Sequence, residues 1–188
     1  MDFYRNEDKL TDCNTGLSFN QVLDVNNTAA VSAELFSVGQ FKQHYGKIDT
    51  SDEDTLIEAL ITAARQMCEN YVGMNFVPRA VTAIINNLNG GTYLPCGPIG
   101  AISSMSDQEG NVIASDSYRI TGNQFKQVQW PTYDWLSITY TGGFTLCPEQ
   151  LVTAVKEQTL WLYDNRGKEG VGLAPNAQMI LNPLKRPM

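Results

Sequence analysis

The sequence of 188 residues has no run of about 18 apolar residues, which a membrane-spanning helix would need. Its N-terminal stretch, MDFYRNEDKLTDCNTG, is polar and acidic and lacks the apolar segment of a signal peptide. We therefore expect a single-domain protein that is made and kept in a cytoplasm and has no membrane partner.

Cysteine and histidine are scarce. The four cysteines, Cys13, Cys68, Cys96 and Cys147, form no C-x-x-C pair, and His44 is the only histidine. Zinc sites are built from close pairs of these residues, so we expect no metal. In a reducing compartment the cysteines are expected to be free thiols.

The motifs of common catalytic sites are also missing. There is no G-x-S-x-G nucleophile elbow, and the glycines form neither a P-loop nor a dinucleotide-binding pattern. His44, Glu69 and Asp134 are scattered polar residues for which the sequence places no partner. We expect no catalytic residue and no cofactor, and therefore a binding or structural role, not an enzyme.

Basic residues are fewer than acidic ones, which argues against a protein that binds the phosphate backbone of a nucleic acid. The net charge is −7. The distribution is uneven, because residues 165–188 carry +3 and the remainder −10. A basic tail on an acidic body favours docking to an acidic partner, which includes another copy of the chain. The alternative is that tails simply vary in charge.

Four segments have the apolar spacing and end signals of helices. They are residues 37–46, 52–72 and 148–165 and a short helix that begins at Pro175. The second segment has the strongest pattern, because its apolar side chains recur on one face and acidic residues occupy its first turn. The two long helices are expected to pack side by side.

Between the long helices, short β-branched and aromatic runs alternate with glycine- and asparagine-rich turns. They predict a small antiparallel sheet over about residues 79–145. The fold class is therefore predicted as α+β: a small helical bundle, two long helices plus short ones, with an inserted antiparallel sheet and a C-terminal arm.

The start of the 52–72 helix is rich in acids, which invites two interpretations. The EF-hand spacing of calcium ligands is missing, so we favour first-turn acids on a helix over a cation site. A capping box is predicted, with Thr50 and Ser51 three residues before Glu53 and Asp54. The acids are Asp49, Asp52, Glu53, Asp54 and Glu58.

Aromatic residues of the insert also allow two interpretations. They form either a stacking platform for nucleic acid or sugar, or the core of the sheet. No basic residue lies among them to meet phosphates, which favours the core. They are Trp130, Tyr133, Trp135, Tyr140 and Phe144.

An ordered set of stretches resembles the head–tail connector (adaptor, or head-completion) proteins of tailed bacteriophages, in the branch that inserts strands between the long helices. The stretches are QHYGKIDTSDEDTLIEALITAARQMCENYVGMNF, TYLPCGPIGAISSMSDQEGNVIASDSYRI, LSITYTGGF, CPEQLVTAVKEQTLWLYDNRGKEG and NAQMILNPLKRPM. The resemblance covers about residues 35–188. It departs from the family at Thr159–Leu162, where members often have an aromatic–histidine pair.

The resemblance implies a non-enzymatic protein of the virion neck, made in the cytoplasm of a bacterial host. Members of the family form a ring, commonly of twelve copies, beneath the portal, which extends the DNA channel. The implied partners are other copies of the chain, the portal protein, a downstream neck or tail protein, and double-stranded DNA that passes without sequence-specific binding. The implied division is an extension (1–34), a connector body (35–167) and an arm (168–188).

Two interaction sites follow from the resemblance as hypotheses. A portal-binding arm consists of Arg166, Lys168, Met179, Ile180, Leu181, Leu184, Lys185 and Arg186. A set of acids near the channel lumen or the subunit seam consists of Asp49, Asp52 and Glu53. Residues 168–188 are expected to order only on docking to a portal. Arg166 is expected either to cap the helix before it or to pair with an acid of a neighbouring subunit.

Other functions compete with this one. A stopper or tail-terminator protein also forms a ring in a phage particle. A ligand-binding module would use the aromatic insert, with Trp130 or Trp135 as the contact. A hydrolase ranks below both, because no nucleophile motif is present.

Overall fold

The computed structural model describes residues 22–45, 50–86, 92–123, 125–129, 135–168 and 172–185. Strands and helices follow one another as β1 (Val22–Asn26), α1 (Val38–Tyr45), α2 (Asp54–Val72), β2 (Arg79–Asn86), β3 (Thr92–Tyr93), β4 (Ile99–Ser106), β5 (Arg119–Thr121), β6 (Gln127–Gln129), β7 (Trp135–Gly142), α3 (Glu149–Asp164) and α4 (Pro175–Leu181). A 3-10 turn, Asn182–Leu184, ends the described chain. The predicted α+β class is confirmed.

Two antiparallel sheets make up the β part. The larger has the strand order β1-β2-β7-β4, and the smaller has the order β3-β6-β5. Burial alternates along β7 because successive side chains of a strand point to opposite faces. Leu136, Ile138 and Tyr140 are fully buried on its inner face. The Tyr140 hydroxyl is satisfied there, since it donates to the Pro95 carbonyl at 2.8 Å.

The burial of Tyr140 supports the interpretation of the insert aromatics as core. Phe144 is partly buried and packs against the helical core, and Trp135 is half-buried on β7. Trp130 and Tyr133 lie outside the described residues.

The long helices α2 and α3 pack together in antiparallel directions. The first turn of α2 meets the last turn of α3, because Arg166 and Tyr163 both donate to the Glu53 carboxylate. Further along, Gln158 of α3 reaches the sulfur of Met67. Their buried faces form a helical core with α1 and α4 that is distinct from the core of the sheets. The prediction that the long helices lie side by side is confirmed.

A buried ion-pair network around Glu69 joins the helical layer to the sheet. The Glu69 carboxylate accepts from Arg65 Nη1 at 2.7 Å and from the Phe76 backbone N–H at 2.7 Å. It also pairs with Arg79 at the start of β2. Arg65 in turn donates through Nε to Glu34 at 2.7 Å. The network balances two cations with two anions, as buried charges require.

A second polar contact, between two asparagine side chains, connects the end of β1 to the segment that follows α2. Asn27, which follows β1, and Asn75, which follows α2, exchange hydrogen bonds through their side-chain amides at 2.9 and 3.0 Å. The chain also passes very close to itself at Gly143, where φ is +129° and an added Cβ would lie 2.4 Å from the Val77 carbonyl oxygen. Only glycine fits this position.

The predicted capping box does not form. Glu53 stands at the N-cap of α2 without a side-chain capping bond, and the Asp54 N–H bonds to the Ser51 carbonyl. The two acids have stronger partners elsewhere: Glu53 binds Arg166, and Asp54 binds Lys42. Cationic partners from distant parts of the chain therefore override the local pattern.

Both ends of the chain pack more closely on the body than expected. β1, within the predicted extension 1–34, is the edge strand of the larger sheet. α4, within the predicted arm 168–188, buries Ala177 and Leu181 in the helical core. The expectation that the arm orders only on docking is wrong for residues 172–185. The division into 1–34, 35–167 and 168–188 stays a prediction.

Replacing Glu69 by alanine should lower the free energy of unfolding by about 3–5 kcal/mol, because it leaves the buried Arg79 without a counter-charge and Arg65 with Glu34 alone. Urea denaturation at neutral pH measures this. The control is Glu58→Ala on the same helix, an exposed acid whose loss should change stability by less than about 0.5 kcal/mol. Equal effects of the two variants would contradict the role given to the network.

Candidate interaction sites

The first candidate site is a cluster where α2 begins and α3 ends. Arg166 Nη1 donates to Glu53 at 2.7 Å, and its guanidinium lies 4.3 Å from the centre of the Tyr163 ring. The Tyr163 hydroxyl donates to the same carboxylate. One acid, one cation and one aromatic ring therefore tie the two helix ends together.

Helix α1 joins this cluster through Tyr45. Its hydroxyl donates to Asp164 at 2.9 Å, and its ring packs edge-on against Tyr163 with centroids 6.4 Å apart. Lys42, one turn earlier, pairs with Asp54 and donates to the Thr50 carbonyl. These contacts fix α1 against both long helices.

The cluster shifts the titration of its members in a consistent way. The hydroxyl of Tyr163 and then the guanidinium of Arg166 hold the pKa of the Glu53 carboxyl below its ordinary value. The Glu53 carboxylate raises the pKa of Tyr163, and the hydrogen bond to Asp164 raises the pKa of Tyr45. Each shift favours the protonation state seen at neutral pH, in which hydroxyl and guanidinium donate to carboxylates.

These contacts show which residue Arg166 binds, and they show that the predicted lumen or seam acids are not alike. Arg166 pairs with Glu53 of its own chain, so neither the helix-capping role nor a partner in a neighbouring subunit is needed to satisfy it. Of the predicted lumen or seam acids, Glu53 is engaged in this pair and Asp52 is exposed. Asp49 lies outside the described residues.

The second candidate site is the C-terminal segment, residues 172–185, which docks on α3 through its backbone. Gln158 is fully buried, accepts from the Ala174 N–H at 2.6 Å and donates to the Gly172 carbonyl at 3.3 Å. Its amide thus pairs with main chain as a neighbouring strand would. At the far end of α4, the Tyr71 hydroxyl donates to Asn182 at 2.6 Å.

The predicted portal-binding residues are not equally available to a partner. Leu181 is buried, Ile180 and Leu184 are half-buried, and Met179 is 69% exposed. The ammonium of Lys185 lies 4.5 Å from the centre of the Tyr71 ring. On the link to α3, Lys168 is exposed and bonds Asn165 at 2.8 Å, whereas Arg166 is held by Glu53. Arg186 lies outside the described residues.

Sequence reasoning missed Gln158 and the partners of Glu69. The helical spacing of Arg65 and Glu69, four residues apart, was a usable signal for one ion pair of the network. Nothing local pointed to Arg79 or Glu34, nor to a glutamine that binds main chain fourteen to sixteen residues away.

Metal binding and the reactivity of two cysteines can be judged within the described residues. Within them no group of three or more histidine, cysteine or acidic side chains is placed to hold a metal ion. Burial raises the pKa of the Cys68 and Cys147 thiols to about 12, so both stay protonated and unreactive at neutral pH. No helix in the described part of the chain is long and apolar enough to cross a membrane.

A family model described as head completion protein matches residues 34–171, well over half of the chain. A comparison with curated proteins finds no match.

Solved structures share the fold. A chain in the neck of an empty GTA particle computed with C6 symmetry has a TM-score of 0.72 at 18% identity, over 88% of this chain and 96% of that one. A chain in the virion of a native gene transfer agent (GTA) particle has a TM-score of 0.70 at 20% identity, over 87% and 95%. A chain in the neck of a native GTA particle computed with C12 symmetry has a TM-score of 0.69 at 16% identity, over 88% of this chain and 96% of that one.

Stability should depend on the ionisation of Glu53. Because its pKa is lowered on folding, its contribution is present above the ordinary value of 4.5 and is lost as pH falls through the lowered value. The difference in unfolding free energy between the natural protein and Glu53→Gln should therefore be largest near neutral pH and shrink in acid. Asp52→Asn removes a neighbouring exposed charge and is the control. A difference that grows as pH falls would contradict this.

Gln158→Leu should loosen the C-terminal segment, because the buried Ala174 N–H loses its acceptor. Amide hydrogen exchange in residues 174–184 should become at least about tenfold faster, with β7 unchanged. The control is Gln150→Leu, which removes a longer, exposed bond to the Ile180 carbonyl. Unchanged exchange in Gln158→Leu would rule out the glutamine as the main anchor of the segment.

Proposed function

The chain belongs to the head completion protein family, and from this membership we propose that it is a structural protein of a phage-like virion. In the proposal, its copies form a ring in the neck, beneath the portal, that joins the capsid to the tail. The family match over residues 34–171 is the observation that carries the proposal. The shared fold with GTA neck chains, solved with C6 and C12 symmetry, supports a ring, and we propose twelve copies.

The charge of the chain suits a channel through which DNA moves. The net charge is −7, and most of the excess acid lies outside the C-terminal tail. An acidic wall repels phosphates and so does not hold the double helix in place. Asp52, exposed at the start of α2, is proposed to lie at the lumen or the seam, whereas Glu53 is neutralised by Arg166.

The C-terminal segment is proposed to contact the portal through its exposed face. Met179 and Lys185 are on the outside of this segment, while Ala177 and Leu181 hold it to the body. Removal of residues 173–188 is therefore a poor test of portal binding, because it also removes three core side chains, those of Ala174, Ala177 and Leu181. A substitution of an exposed side chain separates docking from folding.

Met179→Asp should weaken attachment to a portal ring by at least about tenfold, because it places a charge in an apolar contact. The measurement is the mass of the particle formed by the chain alone and with purified portal rings. The control is Val112→Asp, at an apolar residue that is 81% exposed near the tip of the β4–β5 connection. Portal attachment that survives Met179→Asp would exclude this face.

The same mass measurement tests the proposed function as a whole. A portal ring carrying a ring of this chain is expected. A chain that assembles alone but never on a portal would favour the alternative neck positions, a stopper or a tail terminator. A chain that stays monomeric under both conditions would contradict the ring.

A further inference from the structure

Arg119 and Glu58 are exposed charged side chains that form no ion pair among the described residues. Arg119, on β5, is exposed and is the one cation among the described residues whose side chain has no hydrogen bond, ion pair or ring contact. Glu58, on α2, is an exposed acid that likewise has no described partner. Every other cation in the described ranges is engaged, so Arg119 is the cation most open to an external contact. Asp24, Asp52 and Glu149 are also exposed acids without a described partner, but Glu58 is the one of these acids that lines a cavity.

Glu58 lies at the edge of a cavity. The cavity has a volume of about 660 Å³ and is formed by residues 33–40 together with α2. Ile61 supplies a buried apolar surface, and Leu35 and Val38 are half-buried walls. Such a cavity suits a long cationic side chain, whose apolar stem packs on the walls while its charge reaches an acid.

The second acid in the cavity is already occupied. Glu34 binds Arg65 through two nitrogen atoms, at 2.7 and 3.0 Å, and accepts from the Thr62 hydroxyl at 3.0 Å. Glu58 is therefore the carboxylate that remains for an incoming cation.

Arg119 stands on an open face of the smaller sheet. The register sets Tyr93, Gln127 and Thr121 side by side, and it sets Arg119 opposite Gln129. Because side chains two residues apart share a face, these five lie on one side of the sheet. They are polar or exposed, whereas Val128, on the opposite face, is fully buried.

The composition of this face is that of a protein contact surface. Tyr93 is 48% exposed beside an arginine and two glutamines. Tyrosine and arginine are enriched where proteins meet one another. The face and the cavity are thus complementary in charge. The face presents the guanidinium of Arg119 among polar side chains, and the cavity presents the carboxylate of Glu58 beside apolar walls.

We infer that the Glu58 cavity of one copy receives the Arg119 face of the next copy. The two groups form no ion pair within a single chain, so the contact joins different chains. Because the two surfaces differ, the contact is head-to-tail, and a head-to-tail contact closes into a ring when the rotation between copies allows it. The inference rests on the proposed ring and names the surfaces at its seam.

Charge reversal tests the pairing on the full-length chain. Glu58→Arg and Arg119→Glu should each weaken self-association by at least about tenfold, because each places like charges at every seam. The double variant Glu58→Arg/Arg119→Glu should recover association to within about threefold of the natural chain. An equimolar mixture of the two single variants should also recover rings, in which the variants alternate. Analytical ultracentrifugation and negative-stain imaging measure these outcomes.

The control is Glu109→Arg, the same reversal at an exposed acid on the β4–β5 connection, which should leave assembly unchanged. If the natural chain forms rings and either single variant does so equally well, the inference is wrong while the proposed function stands. Failure of both the double variant and the mixture to recover rings also overturns the pairing. Loss of portal binding with self-association intact would assign the cavity to the portal instead. If the natural chain forms no ring under any condition, both proposals fall.

Discussion

The carboxylate of Glu69 is the contact on which the arrangement of the molecule depends. It lies near the C-terminal end of α2, and it binds a cation from its own helix, a cation from the first strand of the insert and a backbone N–H between them. The helical core and the sheet core are separate apolar clusters, and apolar contact alone has little directional preference. Paired charges do have a direction, so this network fixes how one layer sits on the other.

Periodicity was enough to predict the class and order of the elements. The spacing of apolar residues in α2 and the alternation in β7 reflect burial on one face, which sequence displays directly. What it did not display were long-range polar partners. Glu69 looked like an isolated acid, because Arg79 and Phe76 come close only after the chain has turned at Gly73. The capping box failed for the same reason, since Arg166 lies 113 residues from Glu53.

The candidate sites show the same limit. The basic and apolar character of the C-terminal segment was visible, but apolar spacing in a short helix does not tell an inward side chain from an outward one. Leu181 points into the core and Met179 into solvent, two residues apart on one helix. The proposed seam surfaces were not predictable from sequence, because the face that carries Arg119 is assembled from three strands and becomes recognisable only from their register.

The attachment of the C-terminal segment through Gln158 has a consequence for how such a protein can change over time. The glutamine binds a carbonyl and an N–H, groups that nearly every amino acid supplies, so this contact does not depend on which side chains residues 172 and 174 carry. Apolar side chains are then needed only on the inner face of the segment, where Ala174, Ala177 and Leu181 are buried in the helical core. The exposed side chains of this segment could therefore be substituted in evolution as a binding partner changes, while the body of the protein stays the same.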